Sequence, residues 1–346
     1  MYGKAALVLG DGERFEGTAF GEIINAWGRT AVLSGPVGLQ EFITDPASAG
    51  LITVTTHPLA GNCGINLEDM ESRDIWISAL VTRENCRKPG GWRCEIELDA
   101  FLRRQAVPGI EGVDTRALIR HIRRNGASEA IIRQEGGAGG AAKQYKAERN
   151  RMPGSGPNIA VIDLGVRRSV LARLMEPDID GNLFIFPWDA GYEEIMDISP
   201  ASVLVTNGPD GDFLTAKDTK NTKKSKVIDV LAKLATRVPV YGMGLGAVLL
   251  GAALDAEIEP LYSGHHGSSI TVRAADAKLY VTEQNHRYTL KNMPSDMKIE
   301  FLNVNDGSVE GFSAGNAYGV MFSPATTMTH SRSTAFFYDK LRQSSR

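Results

Sequence analysis

From Asn158 onward the chain alternates short apolar strands with helix-forming stretches, and no other feature constrains its fold as much. Asn158–Asp163 is an apolar run ending near Gly165; Leu183–Pro187 is a second. Ser202–Thr206 is a third and runs into Asn207, Gly208 and Pro209. Val227, Val230, Leu231 and Leu234 then recur on one helical face. A further buried strand, Val238–Met243, turns through glycines into the helix-forming Ala247–Leu254. Alternation of this kind predicts a parallel sheet with crossover helices. Ligands of such sheets sit beyond the carboxyl ends of the strands. The turns Asn207–Pro209 and Gly242–Gly246 are therefore the places to look.

The N-terminal part reads differently. An apolar run at residues 6–9, a turn at Asp11 and Gly12, and the glycine-punctuated Arg14–Gly21 suggest β-structure, as does the β-branched Leu51–Thr56. Residues 114–126 predict a helix capped by Asp114 or Thr115 and stopped by Gly126. Leu118, Ile119 and Ile122 form its apolar stripe. Arg116, Arg120, Arg123 and Arg124 then read as a solvated face. Glycines at 136–140, a charged stretch and the Pro153–Pro157 segment read as a linker. The expected organisation is a domain over 1–135, a linker over 136–157 and a second domain over 158–346.

With 38 basic and 41 acidic residues, the formal net charge of -3 lacks the basic excess of a dominant nucleic-acid binder. The lysines of Lys217–Lys226 have no interleaved aromatics and read as a solvated loop. The longest nearly apolar stretch, Met243–Leu254, is too short to span a bilayer. Three cysteines (Cys63, Cys86 and Cys94), odd in number and without a C-x-x-C pair, point to a reducing compartment and away from a thiolate zinc site. The adjacent His265 and His266 would point to opposite faces of an extended chain and make poor co-ligands. The expectation is a cytoplasmic protein with no metal, no cofactor, no nucleic acid and no membrane.

The segment Val240–Gly246 has the pattern of a nucleophile elbow, a sharp strand-to-helix turn that exposes its central residue. The next backbone N–H is then aimed at an oxyanion. Here the central residue is Gly244, which carries no nucleophile. A dinucleotide turn is the other reading, but the third glycine and a following acidic residue are missing at the expected offsets.

The chain resembles the small subunit of carbamoyl phosphate synthetase over nearly its whole length. In the N-terminal half the matching segments include Gly17–Gly21, Gly38–Glu41, Thr44–Pro46, Gly61–Asn66 and Val113–Arg116. In the C-terminal half they include Asp163–Arg168, Asn207–Pro209, Gly264–Gly267 and Gln284–His286. The resemblance implies an N-terminal α/β small-subunit domain followed by a flavodoxin-like class I glutamine amidotransferase domain with a mostly parallel sheet. It also implies cysteine–histidine chemistry: an elbow cysteine attacks glutamine, and ammonia passes to a large synthetase subunit.

Each catalytic position departs from the family pattern. The cysteine position is Gly244, and the histidine and glutamine that follow the elbow are Ala247 and Val248. The histidine and glutamate near the C-terminus are Ser323 and Ala325. All three cysteines precede the linker, so the amidotransferase-like half has no thiol. The pocket remnants implied by the resemblance are Ala47, Gly208, Asp210, Leu245, Val248, Asn285, Arg287 and Tyr288. Ala47 stands for a serine, although Ser48 follows, and Arg287 stands for a glycine, which would plug the pocket or re-aim it at an anion. The favoured reading is a non-catalytic subunit bound to a large synthetase chain that uses free ammonia, for arginine or pyrimidine supply. The alternatives are a ligand-binding module for a small anion around Arg287, and an enzyme with new chemistry built on Ser323 and His330.

Overall fold

The computed structural model describes residues 3–126, 129–140, 143–210, 226–324 and 332–344. The chain forms two compact units: Met1–Tyr145 with Tyr262–Gly267, and Lys146–Leu261 with Ser268–Arg346.

The first unit contains β1 (Lys4–Leu9), β2 (Arg14–Gly21), β3 (Ile24–Leu33), α1 (Leu39–Thr44), β4 (Leu51–Thr55) and β5 (Leu59–Ala60). It continues with β6 (Ala79–Val81), β7 (Glu84–Asn85), α2 (Leu98–Arg104), β8 (Pro108–Glu111), α3 (Thr115–Asn125), β9 (Glu129–Gln134) and β10 (Ala138–Gly139). The Asp11–Gly12 turn joins β1 and β2 into an antiparallel hairpin. The strands run in the order β3-β4-β6-β8-β2-β1-β9, and β9 pairs back to β3, so the sheet closes into a barrel. Closure removes the exposed edges that an open sheet of short strands would leave. The glycine segment after residue 135 supplies β10, which pairs with β3.

Strand residues alternate between two cores, as the pleat requires. Ala79 and Val81 pack in one cluster with Leu118, Ile119 and Ile122 of α3. Leu80, between them, packs in the other with Phe42 of α1 and Phe101 of α2. The side chain of Asp114 caps α3 by accepting from the Ala117 N–H at 2.9 Å, and Gly126 ends the helix with φ 86°. Both boundaries follow the sequence signals. In Tyr262–Gly267, the His266 carbonyl accepts from the Ser34 N–H, and its buried ring meets Phe42 edge-on.

The second unit contains β11 (Asn150–Met152), β12 (Asn158–Asp163), α4 (Arg168–Leu174), β13 (Asn182–Pro187), α5 (Tyr192–Met196) and β14 (Ser202–Val205). Then come α6 (Lys226–Ala235), β15 (Val240–Met243), α7 (Leu245–Ala253), β16 (Glu257–Arg273), β17 (Leu279–Lys291) and β18 (Lys298–Asn303). The chain ends with β19 (Val309–Ala314), β20 (Ala317–Val320), β21 (Phe322–Ser323) and α8 (Arg332–Ser344). Five strands are parallel in the order β13-β12-β14-β15-β20. Numbered along the chain, that is 2-1-3-4-5, the flavodoxin-like order. An antiparallel extension, β19-β18-β16-β17-β21, continues the sheet. One core cluster joins α6 and α7 to the sheet and the other joins α4 and α8, so helices cover both faces. Of the basic run Lys217–Lys226, only Lys226 lies among the described residues.

Candidate functional site

Strand order reverses between β12 and β14, and the carboxyl ends of β12, β14 and β15 meet there. The turn after β12 is held by Asp163, whose Oδ1 accepts from the Gly165 and Val166 N–H groups at 2.9 and 2.7 Å. Thr206, just past β14, is tied to it by the Leu164 N–H, which donates to Thr206 Oγ1 at 3.0 Å. β15 turns into α7 at Gly244 with φ 54° and ψ -124°. This is the strained geometry of an elbow, and a glycine adopts it without the side-chain penalty. Gly246 fits because a Cβ there would lie 2.4 Å from the Val205 carbonyl oxygen. The helix must sit that close to β14 for the elbow to form.

The place of a nucleophile is taken. A Cβ built on Gly244 would lie 2.2 Å from Asn207 Oδ1 and 2.3 Å from Asn207 Cγ. Asn207 Oδ1 accepts from the Leu245 N–H at 2.8 Å, the donor an elbow aims at an oxyanion. Asn207 Nδ2 donates to the Asn285 carbonyl oxygen at 2.9 Å. The two partners, one donor and one acceptor, fix which way the amide faces. A side-chain carboxamide of the protein therefore sits where a substrate carbonyl would be polarised.

Around it is a cavity of about 10 Å³, roughly what one water needs. Its walls include Arg167, Thr206, Asn207, Gly244, Asn285 and Ser323, with Val170, Met243 and Phe322 as the apolar side. Arg167 is only 4% exposed. Its Nη2 donates to Glu283 Oε1 at 2.7 Å and its Nη1 to Ser323 Oγ at 3.4 Å. A buried guanidinium thus faces Ser323, the residue that the resemblance puts at the histidine position. It donates protons and accepts none, so it cannot act as a base toward Ser323.

Of the residues singled out from the sequence, Gly244, Asn285 and Ser323 line the cavity, and Leu245 contributes its N–H. Gly208 lies behind it, where a Cβ would meet the Leu164 carbonyl oxygen at 2.3 Å. Leu245, Val248 and Tyr288 have their side chains in the hydrophobic core. Arg287 lies 3.9 Å from Asp210, with its guanidinium 5.3 Å from the centre of the Tyr288 ring. Ala47 belongs to the first unit, in the turn Pro46–Ser48, where its N–H donates to Asp45 Oδ1. Ala325 and His330 lie outside the described residues. Sequence reasoning missed Asn207 as the occupant and Arg167 as the cation. Both fall within segments quoted for the family resemblance, but which side chain fills an emptied elbow is a matter of three-dimensional packing.

Residues 7–132 match the family model for the carbamoyl-phosphate synthase small chain, CPSase domain. The chain is 34% identical over 323 residues to the carbamoyl phosphate synthase small chain of Clostridium perfringens, with 89% of each chain covered. It is also 34% identical to that of Archaeoglobus fulgidus, again with 89% of each covered. Identity to the pyrimidine-specific small chain of Bacillus subtilis is 30%, covering 89% of this chain and 86% of the relative. A solved glutamine amidotransferase from Thermotoga maritima superposes with a TM-score of 0.40 at 18% identity, covering 54% of this chain and 84% of that one. No helix among the described residues is long and apolar enough to cross a membrane. The likeness to the small chains extends through both units and well past the family model, and the chain belongs to the carbamoyl phosphate synthase small-chain family.

Proposed function

We propose that this family member has lost glutaminase activity and serves as a non-catalytic subunit of a large synthetase chain that takes up free ammonia. The observation that carries the reading is the Asn207 carboxamide bonded to the Leu245 N–H in the elbow. Glutamine hydrolysis by this fold needs three things in one place: a thiolate, a base to manage its proton, and a vacant oxyanion donor. Gly244 supplies no thiol. Ser323 faces Arg167 in place of an imidazole. The donor is engaged, and the cavity has room for about one water rather than a glutamine side chain. The degenerate positions Gly244 and Ser323 then have one common account: the site has closed on itself while the scaffold around it is kept.

The anion pocket around Arg287 has less support, because Asp210 and the Tyr288 ring already engage that guanidinium. The subunit reading places the chain in carbamoyl phosphate supply for arginine or pyrimidine synthesis.

The test uses the purified full chain with and without a carbamoyl phosphate synthase large chain. The expected result is no glutamate release from glutamine, a stable complex, and carbamoyl phosphate formed from ammonium but not from glutamine. Glutamate release above the buffer rate, or failure to bind the large chain, would sink the proposal.

A further inference from the structure

Helix α3 carries Arg116, Arg120, Arg123 and Arg124, all exposed, and no acidic residue between Thr115 and Asn125. At 3.6 residues per turn these positions fall on one stripe, about 12 Å from first to last. Among the described residues no ion pair or side-chain hydrogen bond engages any of the four. Elsewhere in the same unit arginines find acids: Arg29 pairs with Glu129, Arg93 with Asp69, and Arg103 with Asp99. Among the described residues two carboxylates bond to α3, and both are spent. Asp114 caps its first turn, and Asp11 lies 2.5 Å from His121 Nε2.

The stripe runs against the helix's own stability. Arg116 sits in the first turn, where the macrodipole disfavours a cation. Arg116 with Arg120, and Arg120 with Arg124, are like charges at i,i+4, and Arg120 with Arg123 at i,i+3. Only Arg123 and Arg124, in the last turn, gain from the dipole. A surface that keeps charges at a local cost has its compensation elsewhere.

We propose that the exposed face of α3, presenting Arg116, Arg120, Arg123 and Arg124, is a docking surface for an acidic protein segment. Charge complementarity selects carboxylates, which the planar guanidinium fork can hold in pairs. Along the stripe α3 itself presents no lysine, no stackable ring and no exposed apolar residue; the exposed Tyr262, whose hydroxyl donates to the Arg124 carbonyl, borders its last turn, and one ring does not make the series of stacking platforms that successive bases need. That argues against a single-stranded nucleic acid and against a membrane surface. The overall net charge of -3 also disfavours long-range capture of a nucleic-acid polyanion. The assignment does not depend on the chemistry of the elbow.

The test measures fluorescence anisotropy of labelled poly-L-glutamate with the full chain at low and at moderate salt. The stripe variant carries Arg116→Gln, Arg120→Gln, Arg123→Gln and Arg124→Gln. A control with the same net charge carries Arg73→Gln, Lys88→Gln, Arg104→Gln and Arg133→Gln at other exposed positions of the same unit. The stripe variant is expected to bind at least about tenfold more weakly and to lose the salt dependence, while the control stays within about twofold. Glutamine matches arginine in helix propensity, so relief of like-charge contacts should raise the melting temperature of the stripe variant by about 1–4 °C. A lowered melting temperature would mark the arginines as structural and overturn the proposal, as would equal weakening by the control. Tighter, stripe-dependent binding of a DNA duplex or of phosphatidylserine vesicles than of polyglutamate would overturn it in favour of that partner.

Discussion

Helices α7 and α3 have comparable lengths and opposite fates. α7 follows the elbow, and Leu245 through Gly251 are all buried. It carries no charged or polar side chain, and the amide that reaches its first turn is the protein's own Asn207. α3 buries one stripe and leaves four cations facing solvent, with nothing among the described residues to pair them. Polar groups at the elbow have been replaced or satisfied internally, whereas those on α3 are left unspent. A site that has stopped recruiting a ligand is expected to close in the first way, and a surface that still recruits a partner is expected to look like the second.

The largest way to break this contrast is to return polarity to α7. Val248 is fully buried in the core cluster, at the position where the resemblance implies a glutamine. Val248→Gln adds volume and an amide whose polar atoms have no ready partner in that cluster. The expected cost is about 2–4 kcal/mol, read as a lowered denaturation midpoint with an unchanged slope. A cost below about 0.5 kcal/mol would mean that the helix still tolerates a polar side chain there and that the site is less closed than its packing implies.

Gly244→Cys tests the elbow itself. The substitution places a side chain at φ 54° against Asn207, with an expected cost of about 1–3 kcal/mol. No glutamate release should follow, since Ser323 still faces Arg167, which cannot take the proton of the new thiol. In a double-mutant cycle, adding Asn207→Ala should recover part of the cost, with a coupling of about 1 kcal/mol, because the clash is with that side chain. Strict additivity would show that Asn207 is not what fills the nucleophile's place.

These variants also mark where the sequence was legible. The elbow could be read because its glycines are forced by backbone geometry, and α3 could be read because caps and periodicity are local. The strands β12 to β15 were legible as apolar runs between turn residues. The closure of the first unit was not. It depends on β6, only three residues long, and on a pairing of β9 with β3 across a hundred residues of chain, neither of which leaves a periodic trace. The contents of the pocket were half legible. The missing thiol is a fact of composition. That Asn207 would fill the vacancy, and that the buried cation would be Arg167, are outcomes of packing among five separate segments.

At α3, Asp114→Ala removes the acceptor of the Ala117 N–H and should cost about 1 kcal/mol, less than either elbow variant, because the freed amide reaches water. The mildest expected effect concerns pH. The N–H of Glu13 donates to Asp11, and His121 bonds the same carboxylate, holding the Asp11 carboxyl below the usual range. A carboxyl whose folded value lies below its unfolded one contributes stability above the unfolded value, near about 3.9. That contribution is lost as pH falls through the lowered folded value. Asp11→Asn should therefore flatten the acid limb of the stability curve and leave neutral pH nearly unchanged. The Asp11 carboxyl, followed by NMR titration, should stay ionised below the ordinary carboxylate range. An ordinary titration there would mean that His121 and Glu13 do not hold Asp11, leaving one more acid free beside the arginine stripe and blurring the difference between the two helices.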